Sequence, residues 1–497
     1  MEKAKMASAA GEEQPTEVKT FQVERQEGGE QNIIRKSWDE SKKMWEIAGP
    51  AILVSVSQFS IGFVTVAFAG HLGELELAAV TITTNVIEGF VFVGNGKCTR
   101  DTMRPSRRCR TTQHARNLSP KIMDHNRHNC SMSYAVLSPR NTDTKPTPTR
   151  QTYSRTRWKI LQDGDPSVLR IRHQFPIQKF LQSQTKVWVM TTISVLSLGC
   201  HVLLNWAFVT KLELGLLGAA MAGNISWWLQ VIAMVIYVVS GFFPDSWTGL
   251  SLLAFKSLWG FVKLSLASAV MLCLELWYFT AIILMVGYLK DPTLAVDSIS
   301  ICMNLQLWTS MVTLGFNVAA SVRVSNELGA GRPRAAKFSI VVTVLTSLAV
   351  GITFAVVILA TKHDFPKLFS DKPPVIKAAS KLDYFLAATI FLNSILPVLH
   401  GVAVGAGWQA YVGLINIVCY YLFGIPAGAV LGFKFNLRVQ GIWSGMLVGT
   451  VLQTTILLFL MLRATWRKEA VQAEERLRTW GGPNETPETM VESRSAD

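Results

Sequence analysis

Charge is scarce in this sequence. Lys, Arg, Asp and Glu make up 16% of its 497 residues, whereas a soluble domain carries about 25%. A water-facing surface needs more, so an ordinary soluble globule is excluded. Apolar residues reach 49% and the mean hydropathy is +0.29. Tyrosine is sparse as well, 9 against 25 Phe and 15 Trp, which fits a chain with much lipid-facing surface. The seven cysteines form no framework. Cys98, Cys109 and Cys130 lie in a polar stretch, and Cys200, Cys273, Cys302 and Cys419 lie in apolar runs, so no disulfide scaffold is expected. The first residues, "MEKAKMASAAGEEQPTEV", lack the apolar core of a signal peptide. Residues 1–44 read as a disordered cytosolic tail.

One stretch lacks apolar runs altogether. From Lys97 to His173 there are 17 Lys and Arg against 5 Asp, a net +12 of the whole chain's +14. The basic balance therefore belongs to one segment and describes no general surface. Within it, "DHNRHNC" (His125, His128 and Cys130) fits no zinc spacing. "GNGKC" lacks the first glycine of a phosphate-binding loop, which would fall at Val91, and the Ser or Thr after Lys97. Nonspecific RNA binding through the arginines, Tyr153 and Trp158 has no fold motif behind it. No metal, cofactor, nucleic acid or enzyme activity is expected.

What is abundant is the apolar run long enough to cross a bilayer, about 20 residues. Ten such spans are read: 47–70, 75–94, 187–210, 215–239, 262–288, 294–318, 338–361, 383–405, 410–432 and 440–463. Lys and Arg mark cytosolic loops. With a cytosolic N-terminus, the inside loops hold the basic segment, then Arg323, Arg332, Arg334 and Lys337, then Arg463, Arg467 and Lys468. The 362–381 loop, with five lysines, argues the other way and is outweighed. A 464–497 tail is cytosolic on the same count.

An internal repeat is visible. "GHLGELELAA" (Gly70–Ala79) lies over "GYLKDPTLAV" (Gly287–Val296) at an offset of 217, and "GLLGAAMAG" (Gly215–Gly223) shares a G-x7-G frame with "GIWSGMLVG" (Gly441–Gly449) at 226. Two copies of one helical unit, with the ligand between them near mid-membrane, are a transporter layout. The second copy has six helices, 262–463. The first has four, at 45–94 and 175–240, and 241–261 links the copies.

Glu275 stands midway along "LASAVMLCLELWYFTAIILMVG". An ionised acid at a helix centre costs roughly 2.5–3.5 kcal/mol on insertion scales, so it faces a cavity or a partner. Burial favours the neutral carboxyl, which suits a proton carrier. A structural carboxylate between helices is the alternative. Asn205, Asn224, Asn304, Gln306, Asn393, Gln409 and Asn416 are further polar candidates, with Asn304 and Asn393 deepest in their spans. Interhelical glue is the competing role for each. Trp277, Tyr278, Tyr420 and Tyr421 can stack on an aromatic or cationic ligand or simply pack. Pro50, Pro397 and Pro426 lie within spans, where they bend helices.

"WEIAGPAI", "FAGHLGELELAAV", "ASAVMLCLELWY", "SVRVSNELGAG", "GVAVGAGWQA" and "CYYLFGIPAGAVLGF" together resemble the plant multidrug and toxic compound extrusion (MATE) transporters, over about 45–95 and 175–480. The resemblance implies an all-α polytopic membrane protein with a two-lobe fold, nominally six plus six helices, of which ten are recognisable here. It implies a monomeric, proton-coupled antiporter of organic cations, xenobiotics or flavonoid-type metabolites, in the vacuolar or plasma membrane. Organic-anion (citrate-type) export and a non-transporting protein with a basic cytosolic binding loop are the rivals. The family's proton-coupling acid falls on Glu275, with Trp277, Tyr278, Asn304, Asn393, Gln409 and Tyr421 as pathway candidates. Where some members carry a second acid in the tenth helix, "FLNSILP" places Asn393.

The resemblance also reads the basic segment. After its second helix the family runs like "GMGSALETLCGQAVGAG". Back-translation of "NGKCTRDTMRPSRRC" (Asn95–Cys109) with a one-base shift permits "MGSALETLCGQAVGA". Residues 95–174 thus read as the family's third and fourth helices in a shifted frame, restored near 174. Two helices are lost, an even number, so later topology keeps its sense. The segment itself is expected to be disordered on the cytosolic side, and the chain as written to transport poorly.

Overall fold

The computed structural model describes residues 16–70, 174, 177–182, 184–242, 259–289, 292–370 and 372–481. The span read at 75–94, the basic segment and most of the 241–261 link lie outside the described residues. The other nine spans are helices. They are α1 (Thr16–Gly70), α2 (Val187–Lys211), α3 (Gly215–Val239), α4 (Trp259–Gly287), α5 (Pro292–Gly329) and α6 (Pro333–Ala360). After a short amphipathic α7 (Pro373–Ser380) come α8 (Asp383–Ala406), α9 (Gln409–Lys434), α10 (Arg438–Arg463) and α11 (Trp466–Gly481). Eight of these are long and apolar enough to cross a membrane, and α4 adds the apolar stretch Cys273–Gly287.

The protein is apolar outside and partly polar inside. Leu203, Leu217, Leu422 and Leu462 are each more than 60% exposed, while His201, Asn205, Gln230, Asn416 and Gln453 are at most 0–1% exposed. Lipid accepts the first group, and helix-to-helix hydrogen bonds must satisfy the second. α1 starts at Thr16, so the helix takes in much of the 1–44 segment expected as a disordered tail. Its Glu, Lys, Gln and Arg residues are good helix formers and no proline interrupts them before Pro50.

α1 runs along α5. A Cβ on Gly315 would lie 2.9 Å from the Ile52 nitrogen and 3.1 Å from the Ala48 oxygen, so only glycine permits this approach. Trp308 of α5 sits edge-on to Phe59 and Phe63 of α1, with ring centroids 4.9 and 5.6 Å away. α9 and α10 meet through two glycine ladders of spacing four, Gly424–Gly428–Gly432 and Gly441–Gly445–Gly449. A Cβ on Gly445 would stand 2.7 Å from the Gly424 oxygen. Small residues at every fourth position let membrane helices touch backbone to backbone.

The repeat is present in the backbone, in a different register from the glycine frame. α2 ends in a wide π turn, Trp206–Lys211, and α9 ends in another, Val430–Lys434. In each, the following amide reaches back five residues, Leu212 N to Ala207 O and Phe435 N to Val430 O, both near 3 Å. The left-handed residues that follow are Glu213 and Gly215 in one copy and Asn436 and Arg438 in the other. Every pair is 223 residues apart. The offset of 226 suggested by G-x7-G is therefore corrected to 223, which sets Gly218 over Gly441 and Gln230 over Gln453. Three residues is nearly one helical turn, so apolar periodicity alone tolerates either register.

Candidate functional site

The strongest polar constellation in the second copy joins four helices. Asn416 of α9 donates its side-chain nitrogen to the Met271 carbonyl of α4, at 3.2 Å. That contact fixes the amide's orientation and turns Asn416 Oδ1 toward α10. Gln453 of α10 donates to that oxygen at 2.5 Å. The same Gln453 nitrogen lies 3.0 Å from His400 Nε2 of α8. Because the Gln453 nitrogen is a donor, His400 Nε2 is the acceptor, and the neutral ring carries its proton on Nδ1. His400 Nδ1 faces Glu275 Oε2 of α4 at 4.0 Å, an ion-pair distance longer than a hydrogen bond. Glu275 is a quarter exposed and His400 almost fully buried, so the carboxylate is the more accessible member of the pair.

Aromatic residues close one side. Tyr278 and Tyr420 stack nearly parallel, 4.2 Å between centroids. The Tyr278 oxygen lies 2.8 Å from where a Cβ of Gly424 would be and 3.1 Å from that of Gly449, so the glycine ladders make its slot. Tyr420 is close enough to Glu275 to feel its charge. Tyr421 donates its hydroxyl to the Leu274 carbonyl at 2.8 Å. α9 is wound as a π turn through this region, Ile417–Gly424, a distortion found often at functional sites.

The other pathway candidates are placed differently. Trp277 is half exposed on α4, and Asn304 and Asn393 are half-buried on α5 and α8. Asn393 lies two turns before His400, on the same face by helical geometry. Gln409 is fully buried at the start of α9 and donates weakly to the Val404 carbonyl at 3.4 Å, a contact that ties down the α8–α9 corner. Sequence reading missed His400 and Gln453. Their signal was a large polar side chain inside each of two apolar spans, "PVLHGVAV" and "GTVLQTTILL".

The first copy has its own polar cluster. Gln230 of α3 donates to Ser194 of α2 at 2.6 Å and accepts from Gln174 at 2.9 Å. His201 touches Ser226 and Thr65, each at 3.1 Å. Among the described residues these partners are neutral.

A third cluster lies at the end where α5 finishes in "SVRVSNELGAG". Arg323 grips Glu40 of α1 through Nε and Nη2, at 2.6–2.8 Å, and Glu327 at 3.1 Å. Arg332 pairs with Glu327 at 2.8 Å. The motif's charges thus tie α1 to α5. α11 docks at this end too, where Trp408 donates to Glu469 at 3.0 Å. At the opposite end the exposed Asp364 accepts from Lys367 at 2.7 Å, and that bond and charge hold its carboxyl below the usual range.

The sequence profile described as MatE matches residues 50–99 and 267–430. Protein DETOXIFICATION 33 of Arabidopsis thaliana is 45% identical over 458 residues, covering 89% of this chain and 92% of that protein. Protein DETOXIFICATION 30 of the same plant is 44% identical, covering 89% and 90%. Among solved structures, the eukaryotic MATE transporter AtDTX14 superposes with a TM-score of 0.77 at 27% identity, covering 89% of this chain and 99% of that one. The Vibrio cholerae MATE transporter VcmN in its bent form shares the fold, TM-score 0.71 at 16% identity, covering 89% and 99%.

Proposed function

The chain belongs to the MatE family of multi-pass membrane transporters, and on that premise we propose that it is a proton-coupled antiporter of organic cations, xenobiotics or flavonoid-type metabolites. As a family member it is a secondary efflux transporter and no enzyme. The coupling group in this reading is Glu275. The observation that carries it is the amide chain from Met271 to His400, which leaves a carboxylate at mid-span facing an ordered neighbour at 4.0 Å.

The cycle follows from charge. With Glu275 ionised, the site is negative and holds a cationic substrate by charge. Proton uptake from the acidic side neutralises the carboxylate and releases the substrate; proton loss to the cytosol restores it. α5 presents Arg323 and α11 presents Arg467 and Lys468 at the end of Glu40, which supports cytosolic termini. The membrane is vacuolar or plasma membrane, and the protein acts as a monomer. An organic-anion substrate is the second reading. The negative charge of Glu275 disfavours it.

The test uses vesicles holding the chain with residues 95–174 read in the restored frame. Glu275→Gln should abolish efflux driven by an imposed pH gradient. Undiminished efflux sinks the coupling role.

A further inference from the structure

His400 occupies a place in this site that the coupling reading leaves unused, and its surroundings say what it does. An imidazole in water titrates near about 6.5 and a carboxyl near about 4.3. A carboxylate behaving as it does in water would stay ionised on both sides of a membrane bounded by mildly acidic and neutral solutions. An imidazole changes charge between those two conditions. Here the two groups face each other at 4.0 Å. The titratable neighbours around them are the phenols of Tyr278 and Tyr420, on α4 and α9, and the thiol of Cys419 on α9. Tyr421 and Cys273 lie near each other on the same two helices. Phenols and thiols ordinarily hold their protons through this interval, so Glu275 and His400 are the groups that exchange.

The amide chain makes the exchange directional. Neutral His400 accepts from the Gln453 nitrogen and presents Nδ1–H to Glu275. A second proton must land on Nε2, where it meets that same nitrogen donor. To accept it, the Gln453 amide, which also lies against the Tyr420 phenol, has to turn its buried oxygen. The turned amide then sets oxygen against Asn416 Oδ1, so Asn416 must turn as well and give up the Met271 carbonyl. Asn416 immediately precedes the Ile417–Gly424 π turn.

We propose that His400 shares protons with Glu275 and, through Gln453 and Asn416, transmits its protonation to the π turn of α9. This rests on Glu275 as the coupling acid and names the residue that positions it. The pair is −1 with no proton, neutral with one on either atom, and +1 with two. Once the Glu275 carboxyl turns to close the 4.0 Å gap to hydrogen-bond distance, the shared proton passes from His400 Nδ1 to Glu275 Oε2, leaving the neutral ring protonated on Nε2, and no other covalent bond changes.

The test needs no transport. The full chain in lipid vesicles is treated with a hydrophobic carbodiimide, which attacks protonated carboxyls, and modification of Glu275 is mapped by mass spectrometry across pH 4–9. The wild-type curve should spread over two steps, because two coupled groups titrate as a pair. His400→Gln should collapse it to one step. Gln453→Leu, which keeps both titrating groups and removes the amide, should keep two steps with their spacing changed. Where a variant fails to fold, prior diethylpyrocarbonate modification of His400 in the wild-type chain should collapse the curve as His400→Gln does. A curve unaltered by loss or modification of His400 overturns the sharing, and one unaltered by Gln453→Leu overturns the relay. Neither result bears on whether Glu275→Gln stops proton-driven efflux, so this proposal and the coupling reading fail separately.

Discussion

The two copies of the repeat build the same corner and bury the same glutamine, yet they surround it with different chemistry. Gln230 meets Ser194 and Gln174; Gln453, 223 residues on, meets Asn416 and His400, with Glu275 beyond. The shared part is scaffold, a π turn, a left-handed corner and a glycine against a carbonyl. The differing part is titration. The two copies offer positions of equal geometry, and only the second holds an acid among its described partners.

The largest effect is expected from residues 95–174. Reading residues 95–174 in the restored frame should raise efflux of a fluorescent organic cation from background to a measurable rate in vesicles, with equal protein loaded. Equal rates with and without restoration would remove the frame-shift account. Deleting 95–174 from the chain as written should change little.

Arg323→Ala strips the partner from Glu40, whose pair is nearly buried, and such a loss costs about 3–5 kcal/mol. Melting in detergent should fall by many degrees, and Glu40→Gln combined with Arg323→Met should recover part of it. A melting point unmoved by Arg323→Ala would show that the two copies are held elsewhere.

The paired glutamines divide structure from coupling. Gln230→Leu should cost about 1–3 kcal/mol through stranded partners and leave the efflux rate per folded molecule unchanged. Gln453→Leu should cost a similar amount and also lower proton-driven efflux about tenfold. Equal transport defects in both would erase the distinction between the copies.

The paired glycines test the corrected register. A Cβ on Gly441 would lie 2.6 Å from the Leu431 oxygen, and one on Gly218 would lie 3.0 Å from the Phe208 oxygen, its counterpart. Gly441→Ala should cost about 1–3 kcal/mol by overpacking, and Gly218→Ala clearly less. The smallest effect is at Lys367. Its pair with Asp364 favours the ionised carboxylate, so any contribution is present above the ordinary carboxylate range and lost as pH falls. Both groups are exposed, and Lys367→Ala should leave melting unmoved at neutral and acid pH.

The spans were legible because lipid demands unbroken apolar runs of fixed length, and Glu275 was legible because an acid at mid-span stands out against them. Two things were not. The register of the repeat slipped by three residues, since that slip keeps nearly the same helix face. His400 and Gln453 were passed over because polar residues scattered in an apolar span read as glue. Only the adjacency of α8, α9 and α10, which no one-dimensional pattern holds, shows that they continue from Glu275.

The central claim is that the second copy alone carries the proton. It is tested most directly by adding a cationic substrate to vesicles of the frame-restored protein and recording proton movement with a pH-sensitive dye. Substrate entry should drive protons the opposite way in the wild type and in His201→Gln, the change in the first copy, and drive none in Glu275→Gln. Proton movement that survives Glu275→Gln, or that disappears with His201→Gln, would contradict the account.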